Sequence, residues 1–165
     1  EPMSVPALPE VIRAILNADL IVIGPGSLYT SILPNLLVRG VAEALQVSTA
    51  QVVYVCNIAQ QPGETGGYTV ADHVLALEKH VGQGIINVVL ANDHYPPLRR
   101  GDVTRYVRFD VQPTPVLQRY HVVRADLTDA ARPWRHDSEK LVAQLLKLEA
   151  ALEAAKQSKS LSRPA

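Results

Sequence analysis

Apolar and polar positions follow two kinds of pattern along the first half of the chain. Short, nearly unbroken apolar runs are typical of parallel strands covered on both faces, and they occur as DLIVIG (19–24), QVVYVCN (51–57) and IINVVLAN (85–92). Apolar residues at helical spacing indicate amphipathic helices, and they occur over 8–18, 41–47 and 69–82. The alternation of helices and strands predicts right-handed βαβ units on a parallel sheet.

The pattern changes after Asn92. Residues 93–102 have the composition of a loop, whereas 103–111 and 119–127 have alternating polar positions typical of short strands. A strong helical pattern begins after Asp137, and the residues from 159 predict a flexible tail. We therefore predict a single α/β domain over 1–158, Rossmann-like and three-layered, with a mostly parallel sheet.

Composition narrows the possible partners and compartment. Hydrophobic residues make up 47% of the 165 residues, enough for a core, and Lys plus Arg equals Asp plus Glu at 16 each. This balance gives no electrostatic reason to expect a nucleic-acid partner, and the apolar runs are too short to insert into a membrane. Cys56 is the only cysteine, which excludes an intrachain disulfide and suits a cytoplasmic protein.

Three polar loops follow the predicted strands, at 24–30, 57–68 and 92–101. Ligands of α/β sheets bind at the carboxyl ends of the strands, so these loops are the candidate site. In the first loop, glycines permit positive φ and close ligand approach, and backbone N–H groups beside Ser27 would form an anion nest. The turn matches neither a Walker A loop nor G-x-G-x-x-G. Phosphate binding and a tight strand-to-helix turn remain equal alternatives.

The second loop carries amide, carboxylate and hydroxyl groups. We expect Asn57, at the tip of its strand, to face the cleft, and the residues after it to bind a sugar or base, with a solvated surface loop as the alternative. Those residues are Gln61, Glu64, Thr65 and Tyr68. Asp72 and His73 are expected to be solvent-facing residues of a helix first turn. The alternative is a carboxylate–imidazole catalytic pair, which is disfavoured because neighbouring helix positions do not face each other.

A third set of polar residues precedes the last helix. Arg135 is suited to a bidentate bond with phosphate or carboxylate, and His136 titrates near neutral pH. Asp137 is expected to cap the helix, with Lys140 at the N3 position. The other histidines have no ligand-like spacing, so no metal site is predicted.

Three motifs together resemble the gluconeogenesis factor family, the YvcK-like branch of the CofD-like proteins. They are ADLIVIGPGSLYTSILPNLLV, VYVCNIAQQPGETGGYTVADHV and RHDSEKL. The resemblance implies a cytoplasmic bacterial protein that binds UDP-sugars such as UDP-N-acetylglucosamine, with roles in carbon metabolism, cell shape and peptidoglycan synthesis and no settled reaction. It places the GPGS turn and Asn57 at the nucleotide cleft, with Arg135 and Tyr106 as ligand contacts.

The motifs and the resemblance together give one set of candidate ligand-binding residues. They are Gly24, Pro25, Gly26, Ser27, Asn57, Gln61, Gly63, Glu64, Thr65, Tyr106, Arg135 and His136. No catalytic residue is assigned. The alternative is a transferase acting on a nucleoside-diphosphate-linked substrate, as in the sister branch of 2-phospho-L-lactate transferases, with a divalent metal as its possible cofactor.

The glycine-rich GGGTG and DDGGSSG segments of the family are not present in this sequence. The chain therefore resembles the C-terminal half of a family member, and the half that it lacks would supply a first phosphate loop. We also expect a homo-oligomer, as a dimer.

Overall fold

The structure is a computed structural model that describes residues 5–98 and 104–161, with side chains as far as residue 155. It contains five α-helices and four strands within those residues. The helices are α1 (Pro9–Asn17), α2 (Leu33–Leu36), α3 (Val41–Val47), α4 (Val70–Val81) and α5 (Ser138–Leu161), and the strands are β1 (Leu20–Ile23), β2 (Gln51–Val55), β3 (Val88–Asn92) and β4 (His121–Ala125). A π-helical turn, Leu28–Ile32, leads into α2, and a short 3-10 turn, Leu117–Arg119, precedes β4.

The four strands form one sheet in the order β1-β2-β3-β4, and every pair is parallel. The register sets Ile23 beside Tyr54 and Val55 beside Leu90. Because all strands run in one direction, the turns after β1, β2 and β3 emerge at the same edge of the sheet. The predicted α/β class with a parallel sheet is confirmed.

Helices cover the two faces of the sheet unequally. On the first face, β-strand residues such as Tyr54 and Val89 pack with buried residues of α2, α3 and α4 and with Ile15 of α1. On the second face, residues such as Val53 and Leu90 pack against α5. The result is the predicted three-layer arrangement, with four helices on one side and one on the other.

Helix α4 shows how local sequence fixes an element. Thr69 and Asp72 form a reciprocal capping box: the Thr69 hydroxyl accepts from the Asp72 N–H at 3.2 Å, and the Asp72 carboxylate accepts from the Thr69 N–H at 2.9 Å. At the other end, Gly82 has φ of 90°, a conformation that an L-residue rarely adopts. The predicted helix and both of its boundaries are confirmed.

The predicted strand over 103–111 is wrong within the described part, 104–111. This segment forms only an isolated antiparallel bridge between Tyr106 and Ala59. Its carbonyls and N–H groups bond instead to the loop after β2: Gln60 N–H donates to Arg105 at 2.8 Å, and Val107 N–H donates to Ile58 at 2.8 Å. The alternating pattern therefore reflects packing against a loop, not against a sheet strand.

The last helix is longer than its sequence pattern indicated. Asp137 caps it as predicted, since its carboxylate accepts from the N–H groups of Glu139 and Lys140 at 2.9 and 3.0 Å. The helix continues to Leu161, into the segment predicted as a tail from 159. Residues 162–165 lie outside the described residues.

Candidate functional site

The turn after β1, the loop after β2 and the segment before α5 meet at the carboxyl edge of the sheet. They enclose an open cleft of about 630 Å³. Its lining residues are Pro25, Gly26, Ser27, Asn57, Ile58, Ala59, Gln60, Gln61, Pro62, Thr104, Trp134, Arg135 and His136. The structure thus brings together residues from all three of the motifs that the sequence singled out.

Asn57 holds the turn after β1 in place. Its Oδ1 accepts from the Gly26 N–H at 3.1 Å, and its Nδ2 donates to the Gly26 carbonyl at 2.8 Å. Asn57 lies at the cleft, at the end of β2, as expected. Its amide engages both backbone groups of one residue, so it positions the turn that lines the cleft.

The glycines of this turn do not use the positive φ that glycine permits. Glycines with positive φ are found elsewhere in the chain, at positions that include Gly40 and Gly63, but neither Gly24 nor Gly26 is among them. A Cβ atom built at Gly24 meets no atom within 4 Å. Backbone strain therefore does not require glycine in this turn. The space beside Gly24 is open.

Glu64 occupies part of the predicted anion nest. Its Oε1 accepts from the Ser27 hydroxyl at 2.5 Å and from the Tyr29 N–H at 3.2 Å. The Ser27 Oγ in turn accepts from the Thr30 N–H at 3.2 Å. A carboxylate of the same chain therefore uses donors that the nest would offer to a phosphate, while Pro25, Gly26 and Ser27 of the turn line the cleft together with Arg135.

Arg135 brings the positive charge to the cleft. It belongs to the segment before α5, which is fixed by a backbone bond from Asp137 N–H to Leu127 at 2.8 Å. The Arg135 side chain is exposed and makes no hydrogen bond to another described side chain. The pKa of the Asp129 carboxyl is lowered mainly by a hydrogen bond from the Arg132 backbone N–H, with a smaller effect of the Arg135 charge. Arg135 is the one charged side chain among the described lining residues apart from the titratable His136.

Two lining residues carry buried polar atoms without a partner among the described residues, Gln61 Oε1 and His136 Nε2. Burial lowers the pKa of His136, although a hydrogen bond to the Cys56 backbone acts in the opposite direction. The imidazole is therefore neutral at neutral pH. Buried polar groups are normally paired, so these two atoms indicate a position for a polar ligand group.

Several predicted residues lie beside the cleft. Gly24 borders an apolar groove along β1, whereas Gly63 and Glu64 line an adjoining depression of about 560 Å³. Thr65 is buried, and its hydroxyl accepts from the Gln61 N–H at 2.9 Å. Tyr106 is also buried, and its hydroxyl donates to the Pro96 carbonyl at 2.8 Å.

Trp134, Gln60 and Thr104 line the cleft and were not selected from the sequence. Trp134 is the only tryptophan of the chain and directly precedes Arg135, which was a usable signal. Gln60 stabilises the loop after β2. Its side-chain amide accepts from the Gly67 N–H at 2.9 Å and donates to the backbone carbonyls of Tyr68 and Tyr106. Such a role depends on tertiary contacts and leaves no pattern in the sequence.

The prediction that His73 faces solvent is wrong. Its side chain is fully buried, with Nδ1 at 2.9 Å from the Thr69 carbonyl and the ring edge-on to Tyr68. Burial lowers its pKa. Cys56, by contrast, is buried as expected, and burial raises the pKa of its thiol to about 12, which makes it unreactive as a nucleophile.

Within the described part of the chain, no group of three or more His, Cys, Asp or Glu side chains is arranged to hold a metal ion. No described helix is long and apolar enough to cross a membrane.

Comparison with known proteins identifies the family. The family model described as 2-phospho-L-lactate transferase CofD matches residues 1–149. The chain belongs to the CofD family. Within it, the chain is 42% identical over 153 residues to the gluconeogenesis factor of Bacillus subtilis, covering 89% of this chain and 48% of that protein. It is 47% identical over 112 residues to the gluconeogenesis factor of Halalkalibacterium halodurans, covering 68% and 34%.

A solved structure shows the same fold. A Bacillus halodurans protein of the UPF0052 family superimposes on this CofD-family chain with a TM-score of 0.78 at 37% identity, covering 88% of this chain and 49% of that one. The matched regions thus span about half the length of the Bacillus subtilis relative and of this solved structure, and about a third of the Halalkalibacterium halodurans relative. The resemblance inferred from the three motifs is confirmed, and the partial coverage agrees with a C-terminal half.

Proposed function

We propose that this CofD-family chain forms part of a cytoplasmic regulatory protein that binds a nucleotide sugar of the UDP-N-acetylglucosamine type. Its proposed role is in gluconeogenic growth, cell shape and peptidoglycan synthesis. The relatives named gluconeogenesis factor support the first of these roles. The ligand class follows from the motif resemblance and from the chemistry of the cleft.

The observation that carries the proposal is the mixture of groups in the cleft. The guanidinium of Arg135, which has no side-chain hydrogen-bond partner among the described residues, lies at a cleft whose described lining contains no carboxylate. Arginine binds phosphate oxygens with charge-assisted hydrogen bonds. Gln61 Oε1 and His136 Nε2, which are buried and without a partner among the described residues, offer hydrogen bonds to hydroxyl or amide groups. A ligand with both a phosphate and polar ring substituents satisfies both sets of groups.

The cleft geometry also favours a ligand of this size. A volume of about 630 Å³ lies within the range of about 300–1,000 Å³ that is typical of small-molecule sites. Trp134 adds an aromatic surface to a lining that mixes polar and apolar residues. A base or sugar ring packs well against such a surface.

Thermal unfolding with millimolar UDP-N-acetylglucosamine tests the proposal. A ligand that binds only the folded state raises the melting temperature. Arg135→Ala is expected to weaken binding about tenfold to a hundredfold, because a hydrogen bond to a charged group contributes about 1.5–3 kcal/mol. The shift should therefore be clearly smaller in this variant at the same ligand concentration.

Arg13→Ala is the matched control. Arg13 is an exposed arginine on α1 whose ion pair with Glu10 lies outside the cleft. This variant should retain the full ligand-induced shift. If the unmodified protein shows no shift at millimolar ligand, or if both variants lose it equally, the proposed binding site is incorrect.

A transferase activity on a nucleoside-diphosphate-linked substrate is the second candidate, favoured by the description of the matching family model. The described residues do not by themselves form the divalent metal site that such a reaction would use, since no suitable cluster of ligands is present among them. We therefore assign no catalytic step to this chain. Metal-dependent turnover of a nucleoside-diphosphate substrate would establish this candidate in place of the binding role.

A further inference from the structure

The segment that leads into α5 carries one wall of the cleft. We call residues 127–137 the Arg135 loop, and three of its members, Trp134, Arg135 and His136, line the cleft. The loop forms neither a helix nor a strand of the sheet, and an isolated antiparallel bridge connects its Thr128 and His136. The position of Arg135 relative to the turn after β1 therefore depends on the contacts that hold this loop.

The two arms of the Arg135 loop are bonded to each other. Asp129 N–H donates to the Arg135 carbonyl at 3.0 Å, and Asp137 N–H donates to the Leu127 carbonyl at 2.8 Å. These bonds lie on either side of the bridge at its centre. Because the arms are paired along their length, a displacement of the first arm, 127–129, also displaces Arg135.

Lys140 of α5 bonds to the first arm and to the residue that precedes it. Its Nζ donates to Asp126 Oδ2 at 2.7 Å and to the Thr128 carbonyl at 2.8 Å. The other carboxylate oxygen of Asp126 accepts from the Thr128 N–H at 2.9 Å and from the Thr128 hydroxyl at 2.6 Å. Since Asp126 directly precedes the Arg135 loop and Lys140 follows it, their ion pair closes the base of the loop.

The Asp126 carboxylate is charged in the folded protein. Burial acts to raise its pKa, but hydrogen bonds from Lys140 and Thr128 outweigh this effect and hold the pKa below its usual range. His94, in the loop after β3, adds a further contact, because its Nδ1 lies 3.1 Å from the Thr128 hydroxyl oxygen and 3.3 Å from Asp126 Oδ1. The network thus connects three parts of the fold at the base of the Arg135 loop.

The Arg135 loop has a second attachment that does not involve Lys140. Leu127 is fully buried, and its N–H donates to Asn92 Oδ1 at 3.0 Å. The side chains of Lys140 and Asp126, by contrast, are 40% and 42% exposed, and exposed ion pairs contribute little to stability. Leu127 therefore accounts for the attachment of the loop to the core, whereas the Lys140 bonds restrain the arm beyond it.

We propose that Lys140 is a positioning residue of the cleft, which acts through Asp126 and Thr128 to fix where the Arg135 loop places its guanidinium. Lys140 is not among the residues that line the cleft, so it acts through the loop and not by touching a ligand. The consequence for ligand affinity rests on the proposed function, whereas the consequence for the loop does not.

The fluorescence of Trp134 tests the effect on the loop without any ligand. Trp134 is the only tryptophan of the chain and directly precedes Arg135, so its quenching by acrylamide reports on the loop. Lys140→Met keeps an unbranched side chain but removes the ammonium group, and it should raise the quenching constant because the released loop exposes the indole more. Lys147→Met, at an exposed position of the same helix, is the matched control and should leave the constant unchanged.

Calorimetric titration with UDP-N-acetylglucosamine tests the effect on the cleft. Lys140→Met should weaken binding about threefold to tenfold, which is part of the loss expected on removing Arg135 itself. Lys140→Arg retains a cation that can bond to both oxygens and should restore most of the affinity. Asp126→Asn combined with Lys140→Met should lose no more than the larger single loss, because both substitutions break the same ion pair.

Urea unfolding separates positioning from a merely structural role. Positioning predicts that the urea midpoint of Lys140→Met stays close to that of Lys147→Met, while the quenching constant and the affinity change. The proposal is overturned if the two variants have equal quenching constants, or if the midpoint of Lys140→Met falls while its affinity stays that of the unmodified protein. If the unmodified protein does not bind UDP-N-acetylglucosamine, the proposed function fails, and the quenching comparison alone decides whether Lys140 holds the loop.

Discussion

The contact between Asn57 and Gly26 decides the shape of the candidate site at the level of single residues. Two hydrogen bonds connect one side-chain amide to the backbone of one turn residue, 31 positions earlier in the chain. The carboxamide fits both groups because it contains one acceptor and one donor. The turn that lines the cleft is therefore held by β2 and not only by its own strand.

Asn57→Ala should destabilise the fold by about 1–3 kcal/mol, because it leaves partly buried backbone groups of Gly26 unpaired. Asn57→Asp retains the acceptor for the Gly26 N–H but loses the donor, so we expect an intermediate loss. Urea unfolding measures both changes in the free energy of unfolding. Asn17→Ala, at an exposed position of α1, is the control and should change stability little. Equal stability of all three variants would show that the contact does not hold the turn.

Two buried histidines make stability depend on pH. Burial lowers the pKa of both His73 and His136 in the folded state. The unfolded chain therefore binds more protons than the folded chain below the unfolded pKa of about 6.5. Stability should be complete above that pH and decrease as the pH falls through about 6.5 toward the lower folded pKa values.

Urea unfolding between pH 7.5 and pH 5 measures this dependence. His73→Gln should reduce its slope, since glutamine does not titrate in this range, while His80→Gln serves as the control on the same helix. Stability that rises on acidification, or a slope that His73→Gln leaves unchanged, would contradict the effect of burial on His73.

The chemistry of single residues was partly predictable. Arg135 and Asp137 were assigned from residue type and position in a short motif, and the structure places them at the cleft and at the start of α5, respectively. His73 was assigned incorrectly because a histidine in a helix first turn has the same local sequence signal whether it is buried or exposed. The burial of His73 depends on tertiary packing, which includes the edge contact with the Tyr68 ring.

At the level of elements, helix α4 connects the polar loop after β2 to the core. Thr69→Ala should cost about 0.5–2 kcal/mol, because it removes the side-chain half of the capping box. Chemical denaturation measures the loss, and Thr49→Ala, at an exposed position between α3 and β2, is the control. A loss no larger than that of the control would mean that packing alone fixes the start of α4.

The strands and helices of the βαβ region were predictable because each has a strong local pattern. Strands β1 to β3 appear in the sequence as apolar runs, although only β2 and β3 are largely buried, and α4 has its cap residues at both ends. The segment 104–111 was not predictable in the same way. Its backbone bonds go to the loop after β2, and no local pattern distinguishes such a partner from a neighbouring strand.

For the whole molecule, the two edges of the sheet differ: the β4 edge is polar, and the β1 edge is apolar and has no strand beside it among the described residues. The polar β4 edge needs no partner, whereas the β1 edge, its groove and Val22 are apolar and uncovered among the described residues. The parallel architecture was predictable from the sequence. The uncovered surface was not, because the pattern LIVI indicates burial on both faces without indicating what supplies the second layer. The predicted homodimer stays a prediction, which light scattering of the chain alone tests.

The central claim is that a nucleotide sugar binds in the cleft between the β1 turn and Arg135. Titration of the ¹⁵N-labelled protein with UDP-N-acetylglucosamine, followed by NMR, tests it most directly. The largest amide shifts should occur at Gly26, Gln61 and His136, which line the cleft on three different segments, and Arg135→Ala should suppress them. Shifts confined to residues outside the cleft, or none at millimolar ligand, would contradict the claim.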